Sequence, residues 1–394
     1  MSVKSLLKRN RLVYRAALVA RRLPYPLLTG LCALCRRVWG IEKGAVCFSS
    51  FEGMLYNDNP RAVAEALHAL RPDARLKFIL NRRGMAQPDI PEFIERVPRA
   101  SLRALKVLST SEVLVRNAKM RPWMRKFPGQ FYVQTWHGDR GFKRVLLDRP
   151  DIGPENREFA REGTAIDLAV SGSAFGSRVY RSSMAYHGEI LERGCPRNDL
   201  LVNHPAGLAA RMRAALGIPE GTRALLYAPT FRNADTGRSQ AAPLRLERVR
   251  ETLEGATGER WVCLTRSHEL VSGIRSDAWR DVSDWPETNE VLLAVDLLIT
   301  DYSSIGGDFM LLERPVIYYQ PDIGDYDGER GLYFDPDQSP LLTAHTEEAL
   351  LALLSRPIDA PGNCRAVLEY FGANETGGAA AATARRIRER LGVR

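Results

Sequence analysis

No lysine follows Lys143 in this 394-residue chain, so its second half draws positive charge from arginine alone. Arginine presents a rigid fork that matches phosphate oxygens two at a time, although a codon bias toward arginine leaves the same composition. The net charge of +9 points to a polyanion, an anionic lipid surface or a phosphate-rich substrate. The chain lacks any nucleic-acid-binding signature or basic–aromatic interleaving, so nucleic acid is not expected as a partner. An apolar run of the roughly 18–20 residues needed to cross a bilayer is also missing. The stretch from Leu27 to Cys35 falls well short of it, and no small-residue cleavage site of the signal-peptide kind is found. Cysteine is sparse: Cys32, Cys35, Cys47, Cys195, Cys263 and Cys364 make six. The single C-x-x-C, Cys32/Cys35, has no second pair or histidine near it, so the six read as reduced thiols in a cytosolic compartment. There is no G-x-x-x-x-G-K-[ST] loop, no G-x-G-x-x-G fingerprint and no G-x-S-x-G elbow, which argues against an ATPase, a dinucleotide oxidoreductase and an α/β-hydrolase. Asp325-Tyr326-Asp327 and Asp335-Pro336-Asp337 have the form of metal–diphosphate doublets. Both sit in turn-rich stretches where aspartate serves the backbone, and neither a metal nor a cofactor is expected.

What is present describes a globular protein of two α/β domains, with 45% hydrophobic and 26% charged residues. Residues 1–40 stand apart. On a helical wheel Lys4, Lys8, Arg11, Arg15 and Arg22 form one stripe, with Leu6, Val13, Ala17 and Ala20 opposite. Such a segment suits a helix lying on an anionic membrane surface; a helix packed on the protein's own core has the same pattern. From Gly44 onward, β-rich runs alternate with helical ones. The first series is Val46–Ser50, Leu76–Leu80, Glu112–Val115, Phe131–Gln134 and Leu168–Ser171, and the second is Ala224–Ala228, Trp261–Thr265, Leu297–Thr300 and Val316–Tyr319. Strands that are apolar throughout and separated by helices predict parallel sheets covered on both faces. Two series predict two Rossmann-like domains facing a cleft, over residues 41–203 and 204–394.

Four motifs follow predicted strands, where ligands of parallel sheets bind. Gln134-Thr135-Trp136-His137-Gly138 places a histidine, suited to general-base work near neutral pH, before a flexible glycine; capping of the next helix would serve as well. Thr300-Asp301-Tyr302-Ser303-Ser304 offers two hydroxyls and backbone N–H groups for an anion, with Asp308 one turn further on and within reach of sugar hydroxyls. Serine capping explains one of these serines but not the whole run. Arg266-Ser267-His268 and Pro229-Thr230-Phe231-Arg232 add cations and hydroxyls at two more strand ends.

Taken together, these strings resemble the CDP-glycerol glycerophosphotransferase family, which includes the teichoic acid primases and polymerases. The matching pieces are QTWHG (134–138) with Lys143, GCPRND (194–199), LYAPTFR (226–232), RSH (266–268), ITDYSSIGGDFMLLERPVIYY (299–319) and ERGLYFD (329–335), in family order. Two departures stand out: Asp139-Arg140-Gly141-Phe142 where the family usually has Thr-Pro-Leu after the glycine, and Glu269 where it usually has proline. The resemblance implies a GT-B architecture with acceptor and base on the first domain and a CDP-polyol mainly on the second. It implies His137 as catalytic base and His268 with Arg266 as a diphosphate grip. Pro229 and Thr230 would lie against the donor, Ser303 and Ser304 on phosphate, Asp308 near ribose or polyol hydroxyls, and Arg197 on the donor from the first domain. Gly138, Ser267 and Asp301 are carried over with their motifs as substrate-binding positions.

The function so implied is transfer of glycerol phosphate, or a related polyol phosphate, from CDP-glycerol or CDP-ribitol to a lipid-linked saccharide or polyol-phosphate acceptor. CMP is released, at the cytoplasmic face of the membrane, in teichoic-acid-like or capsular polymer synthesis. A GT-B glycosyltransferase using a CMP- or UDP-sugar would share the histidine and the phosphate loops. A non-catalytic, membrane-bound polyanion-binding protein would share only the arginine surface.

Overall fold

The computed structural model describes residues 24–150, 156–230, 244–266 and 279–392. The basic stripe from Lys4 to Arg22, Phe231, Arg232, Ser267 and His268 lie outside the described residues.

Thirteen strands among the described residues form two sheets. The first holds β1 (Glu42–Ser49), β2 (Arg75–Leu80), β3 (Ile94–Pro98), β4 (Ser111–Arg116), β5 (Phe131–Gln134), β6 (Leu168–Ser171) and β7 (Glu189–Glu192). The second holds β8 (Arg223–Ala228), β9 (Trp261–Thr265), β10 (Trp279–Asp281), β11 (Leu297–Thr300), β12 (Val316–Tyr319) and β13 (Thr343–Ala344). Their orders are β3-β2-β1-β4-β5-β6-β7 and β10-β9-β8-β11-β12-β13, and every pairing is parallel. Each sheet thus reverses direction beside its first strand, the crevice where doubly wound folds bind ligands. The central strands are buried on both faces: β4, β6, β11 and β12 have no exposed residue. That explains their unbroken apolar runs. The helices that cover them start on local signals, such as the Ser101, Ser173 and Thr346 side chains, which each accept a backbone N–H of the first turn.

The apolar stretch from Leu27 to Cys35 lies in a helix, Tyr25–Trp39. Cys32 is buried, and the Thr29 hydroxyl donates to the Trp123 carbonyl (2.9 Å), so one side of the helix is bedded on the first domain. Leu27, Leu34 and Val38, which share another face of it, are more than half exposed. Among the described residues no helix is long and apolar enough to cross a membrane. The cysteines are all free thiols.

Each half of the chain contributes to the other's core. Phe142, between β5 and β6, is fully buried in the cluster under the second sheet, with ring centroids 4.9 Å from Tyr318 and 5.0 Å from Phe334. The last helix, Ala379–Arg390, crosses back. Its Ala384 and Ile387 join Val46, Val63 and Leu67 in the core of the first sheet.

Candidate active site

Loops from the carboxyl ends of the two sheets meet. The segment after β5 carries His137 and Gly138, and the segment after β11 carries Ser303 and Ser304. A Cβ on Gly138 would stand 3.0 Å from Ser304 Oγ. A side chain there would force the serine to move, so glycine is what lets the loops approach this closely.

His137 is half-buried, with its ring against Phe51 (centroids 5.3 Å) and Trp136 (4.6 Å). Nδ1 lies 2.5 Å from the Asn117 carbonyl oxygen. A carbonyl only accepts, so Nδ1 carries the proton and Nε2 keeps its lone pair. Desolvation lowers the imidazole pKa below its ordinary value, and Arg197 and Lys143 push the same way, against the pull of Asn117 and Asp58. The ring is therefore neutral at physiological pH, the state a base needs.

The backbone around the histidine is held in an uncommon shape. Trp136 has φ of 50°, costly for a bulky residue. Asn59 Nδ2 holds the turn by donating to the carbonyls of Thr135 (3.2 Å) and Trp136 (2.9 Å). Arg197 then ties this loop to the second domain. Its guanidinium donates to the His137 carbonyl (3.0 Å), to Asp58 Oδ2 (2.8 Å) and to Asp308 Oδ2 (2.7 and 3.2 Å). Asp58 Oδ1 in turn accepts from Asn117 Nδ2 (2.9 Å). A continuous run of hydrogen bonds thus leads from Asp308 through Arg197, Asp58 and Asn117 to His137.

Arg140 completes the seam. It donates to Asp308 Oδ1 (3.0 Å), Glu375 Oε1 (3.0 Å) and the Gly172 carbonyl (3.3 Å), and Asn198 Nδ2 bridges Asp308 and Glu375 (2.9 and 2.8 Å). Asp308 is buried with both oxygens occupied by protein donors. Burial alone would raise its carboxyl pKa, but Arg197 and Arg140 hold it below the ordinary carboxylate range. The geometry therefore does not offer Asp308 and Arg197 to sugar hydroxyls or phosphate; they bond to each other. The Asp139-Arg140-Gly141-Phe142 departure is explained here as well. Asp139 Oδ1 accepts from the Gly172 N–H (3.0 Å) and the Ser171 hydroxyl (3.1 Å), Arg140 joins the ion network and Phe142 anchors in the second core.

On the second domain, Asp301 accepts from the backbone N–H of Thr230 (2.9 and 3.0 Å) and from its hydroxyl, coupling the loops after β8 and β11. Pro229 beside it is buried. The Ser303 hydroxyl accepts from the Ile305 N–H (3.3 Å) just ahead of the short helix Ile305–Phe309, whose N-cap residue, Ser304, makes no side-chain capping bond. Arg266 extends toward β10, where it donates to the Val282 carbonyl (2.7 Å); burial lowers its pKa. The segment 142–144 pairs with 331–333 through Arg144 N–H to Gly331 O and Tyr333 N–H to Phe142 O (both 2.9 Å), which brings Lys143 near Arg330 and Asp301. In the second aspartate doublet, Asp335 caps a short 3-10 turn, the backbone work expected of a turn aspartate, and Asp337 pairs with the His345 side chain (2.9 Å).

The loop that carries a neutral, oriented imidazole thus meets the Ser303–Ser304 loop of the facing domain. Residues 32–388 match the family described as CDP-Glycerol:Poly(glycerophosphate) glycerophosphotransferase. The chain belongs to this family. It is 29% identical, over 83% of its length and 88% of the relative's, to a teichoic acid poly(glycerol phosphate) polymerase of Bacillus spizizenii. It is 30% identical to a teichoic acid glycerol-phosphate transferase of Staphylococcus aureus, over 75% and 78% of the two chains. The corresponding polymerase of Bacillus subtilis is 29% identical over 79% of this chain, which spans only 44% of that relative's length. Among solved structures, the wall teichoic acid polymerase TagF superposes with a TM-score of 0.81 at 26% identity, covering 99% of this chain and 98% of that one. A TagF variant soaked with CDPG gives 0.79. The GT-B architecture implied by the sequence is the architecture of this glycerophosphotransferase-family member.

Asp58, Asn59, Asn117 and Glu375 were not singled out by the sequence. For Asp58 and Asn59 the only signal was Asn57-Asp58-Asn59-Pro60, a crowding of polar and helix-breaking residues that reads as an ordinary helix entry, and Asn117 and Glu375 had none.

Proposed function

We propose that this protein transfers glycerol phosphate from CDP-glycerol to a hydroxyl of a lipid-linked acceptor. The observation that carries the reading is the neutral His137, proton fixed on Nδ1, beside the Ser303–Ser304 loop of the facing domain. Residues 41–203 would supply the acceptor side and the base, and residues from 204 onward most of the donor side. The acceptor oxygen attacks the β-phosphorus of the donor in line. The bond from that phosphorus to the bridging oxygen breaks, CMP leaves with its electron pair, and His137 Nε2 takes the acceptor proton. Charge grows on the non-bridging oxygens, so positioned donors and cations do most of the work. Gly138, Ser303, Ser304 and the Thr230 loop braced by Asp301 are suited to the phosphates, with Pro229 against the nucleotide. Arg266, Ser267, His268 and Lys143 would supply further donors. The relatives named for glycerol phosphate favour CDP-glycerol over CDP-ribitol. The exposed apolar side of the helix Tyr25–Trp39 and the basic stripe before it suit a peripheral position on an anionic membrane, where each cation contributes about 1 kcal/mol.

The test is CMP release. CDP-glycerol should be turned over in preference to CDP-ribitol, CMP-sialic acid and UDP-glucose, and His137→Ala should lower the rate about 10²–10⁴-fold with calorimetric CDP-glycerol affinity unchanged. Turnover of a CMP- or UDP-sugar alone would replace this reading with that of a glycosyltransferase, and equal loss of donor binding in His137→Ala would remove the base assignment.

A further inference from the structure

Beside the cleft the first domain holds a cavity of about 860 Å³ at the carboxyl ends of β1 to β4. It opens at the sheet's switch point, between Ser49 ending β1 and Arg116 ending β4. Its charged lining is four arginines, Arg82, Arg99, Arg116 and Arg121, against the single Glu52. Glu52 is taken by Arg121 (Nε to Oε2 2.8 Å) and approached by Arg99 at 3.6 Å. Arg116 is 2% exposed, and its Nε and Nη2 find no hydrogen-bond partner among the described residues. A buried guanidinium with two unpartnered nitrogens is costly, and this one lines a polar-ended chamber. Burial and the neighbouring Arg121 and Arg116 lower the Arg99 pKa, the mark of cations crowded on one another. The opposite walls are apolar, and Leu28 and Leu31 bring the helix Tyr25–Trp39 into them.

We propose that this cavity binds an anionic phosphate carried on an apolar tail, the phosphate against Arg116, Arg99 and Arg121 and the tail leaving past Leu28 and Leu31. The inference rests on the reading above and gives its acceptor a lipid-borne phosphate, held at a subsite apart from the donor, with the reacting hydroxyl further along the same acceptor. Charge complementarity selects the head and the apolar wall selects the tail. The exposed Leu27, Leu34 and Val38, on the face next to Leu31 of the same helix, give the tail a route to a lipid surface. The subsite adjoins the base through two strand ends. Glu52 follows Phe51, whose ring meets His137, and Arg116 precedes Asn117, whose carbonyl orients it. A phosphate held there would bring the acceptor to His137 from the side opposite the donor.

Calorimetry on the full chain tests this with decyl phosphate, inorganic phosphate and decyl glucoside. Decyl phosphate should bind, and saturating CDP-glycerol should not displace it. Inorganic phosphate and decyl glucoside, each lacking one half of the chemistry, should bind about tenfold more weakly or worse. Arg116→Met should weaken decyl phosphate about tenfold or more while sparing CDP-glycerol. Arg121→Gln, at a partly exposed position, repeats the test if the first variant does not fold. Competition by CDP-glycerol, equal binding of decyl glucoside, or undiminished affinity in both variants would overturn the proposal. Decyl phosphate bound by a protein that ignores CDP-glycerol would leave this site standing and remove the proposed function instead.

Discussion

Two kinds of buried arginine in this molecule behave oppositely. Arg140 and Arg197, on the seam between the domains, have acidic partners in Asp308, Asp58, Glu375 and Asp139. Arg116, on the first domain's cavity, is equally buried, yet two of its nitrogens bond to nothing among the described residues. A paired buried charge fixes a geometry, since both desolvated partners lose heavily if they separate. An unpaired one is a place where an anion is missing from the protein's own side chains. The first group holds His137 and Ser304 in register; the second suits a ligand.

The largest effect should come from unpairing the seam. Asp308→Ala leaves Arg140 and Arg197 short of a shared carboxylate, and urea unfolding should register a loss of about 3–5 kcal/mol. Activity should fall with it, since Arg197 also holds the His137 carbonyl. If Asp308→Ala melts like the parent, the seam is not the brace described here. Arg116→Met should do the reverse, changing unfolding free energy by less than about 1 kcal/mol or raising it, because it removes a buried charge two of whose nitrogens have no partner to lose. A loss as large as that of Asp308→Ala would erase the contrast.

Acidity gives a smaller and graded probe. Asp308 has a depressed carboxyl pKa in the folded state, so its contribution to stability is complete above the unfolded value near 3.9 and is lost as pH falls through the lower folded one. Asp308→Asn should flatten that acid limb. His137 has a lowered pKa as well, so its base form persists through pH 6.5. The rising limb of kcat/KM should therefore lie below the ordinary histidine range. A limb centred above pH 7 would argue for a different titrating group.

The fold was legible where strands are buried on both faces. Phe131–Gln134, Leu168–Ser171, Trp261–Thr265, Leu297–Thr300 and Val316–Tyr319 match the observed strands residue for residue. The four strands without a sequence signal, β3, β7, β10 and β13, are the four sheet edges. Edge strands such as Glu189–Glu192 and Trp279–Asp281 touch solvent, so charged residues interrupt the apolar run that betrays a central strand. For the site, motif position sufficed to bring the loops of Gly138 and Ser304 together, because both follow central parallel strands. It did not distinguish residues facing a ligand from those facing each other. Arg197 and Asp308 are 111 positions apart, and only the closed cleft reveals that they are partners. Asp58 and Asn117 were hidden for the same reason.

The exchange of Phe142 for the helix Ala379–Arg390 means that the two halves are not separable goods. A cut near residue 203, the natural place to express each half alone, would strip the second core of a buried ring and bare Val63 and Leu67 on the first. Neither fragment would inherit a finished interior. A chimaera with a relative's donor half inherits the same obligation: segment 137–144 must travel with the incoming domain, and the closing helix must stay with the resident one.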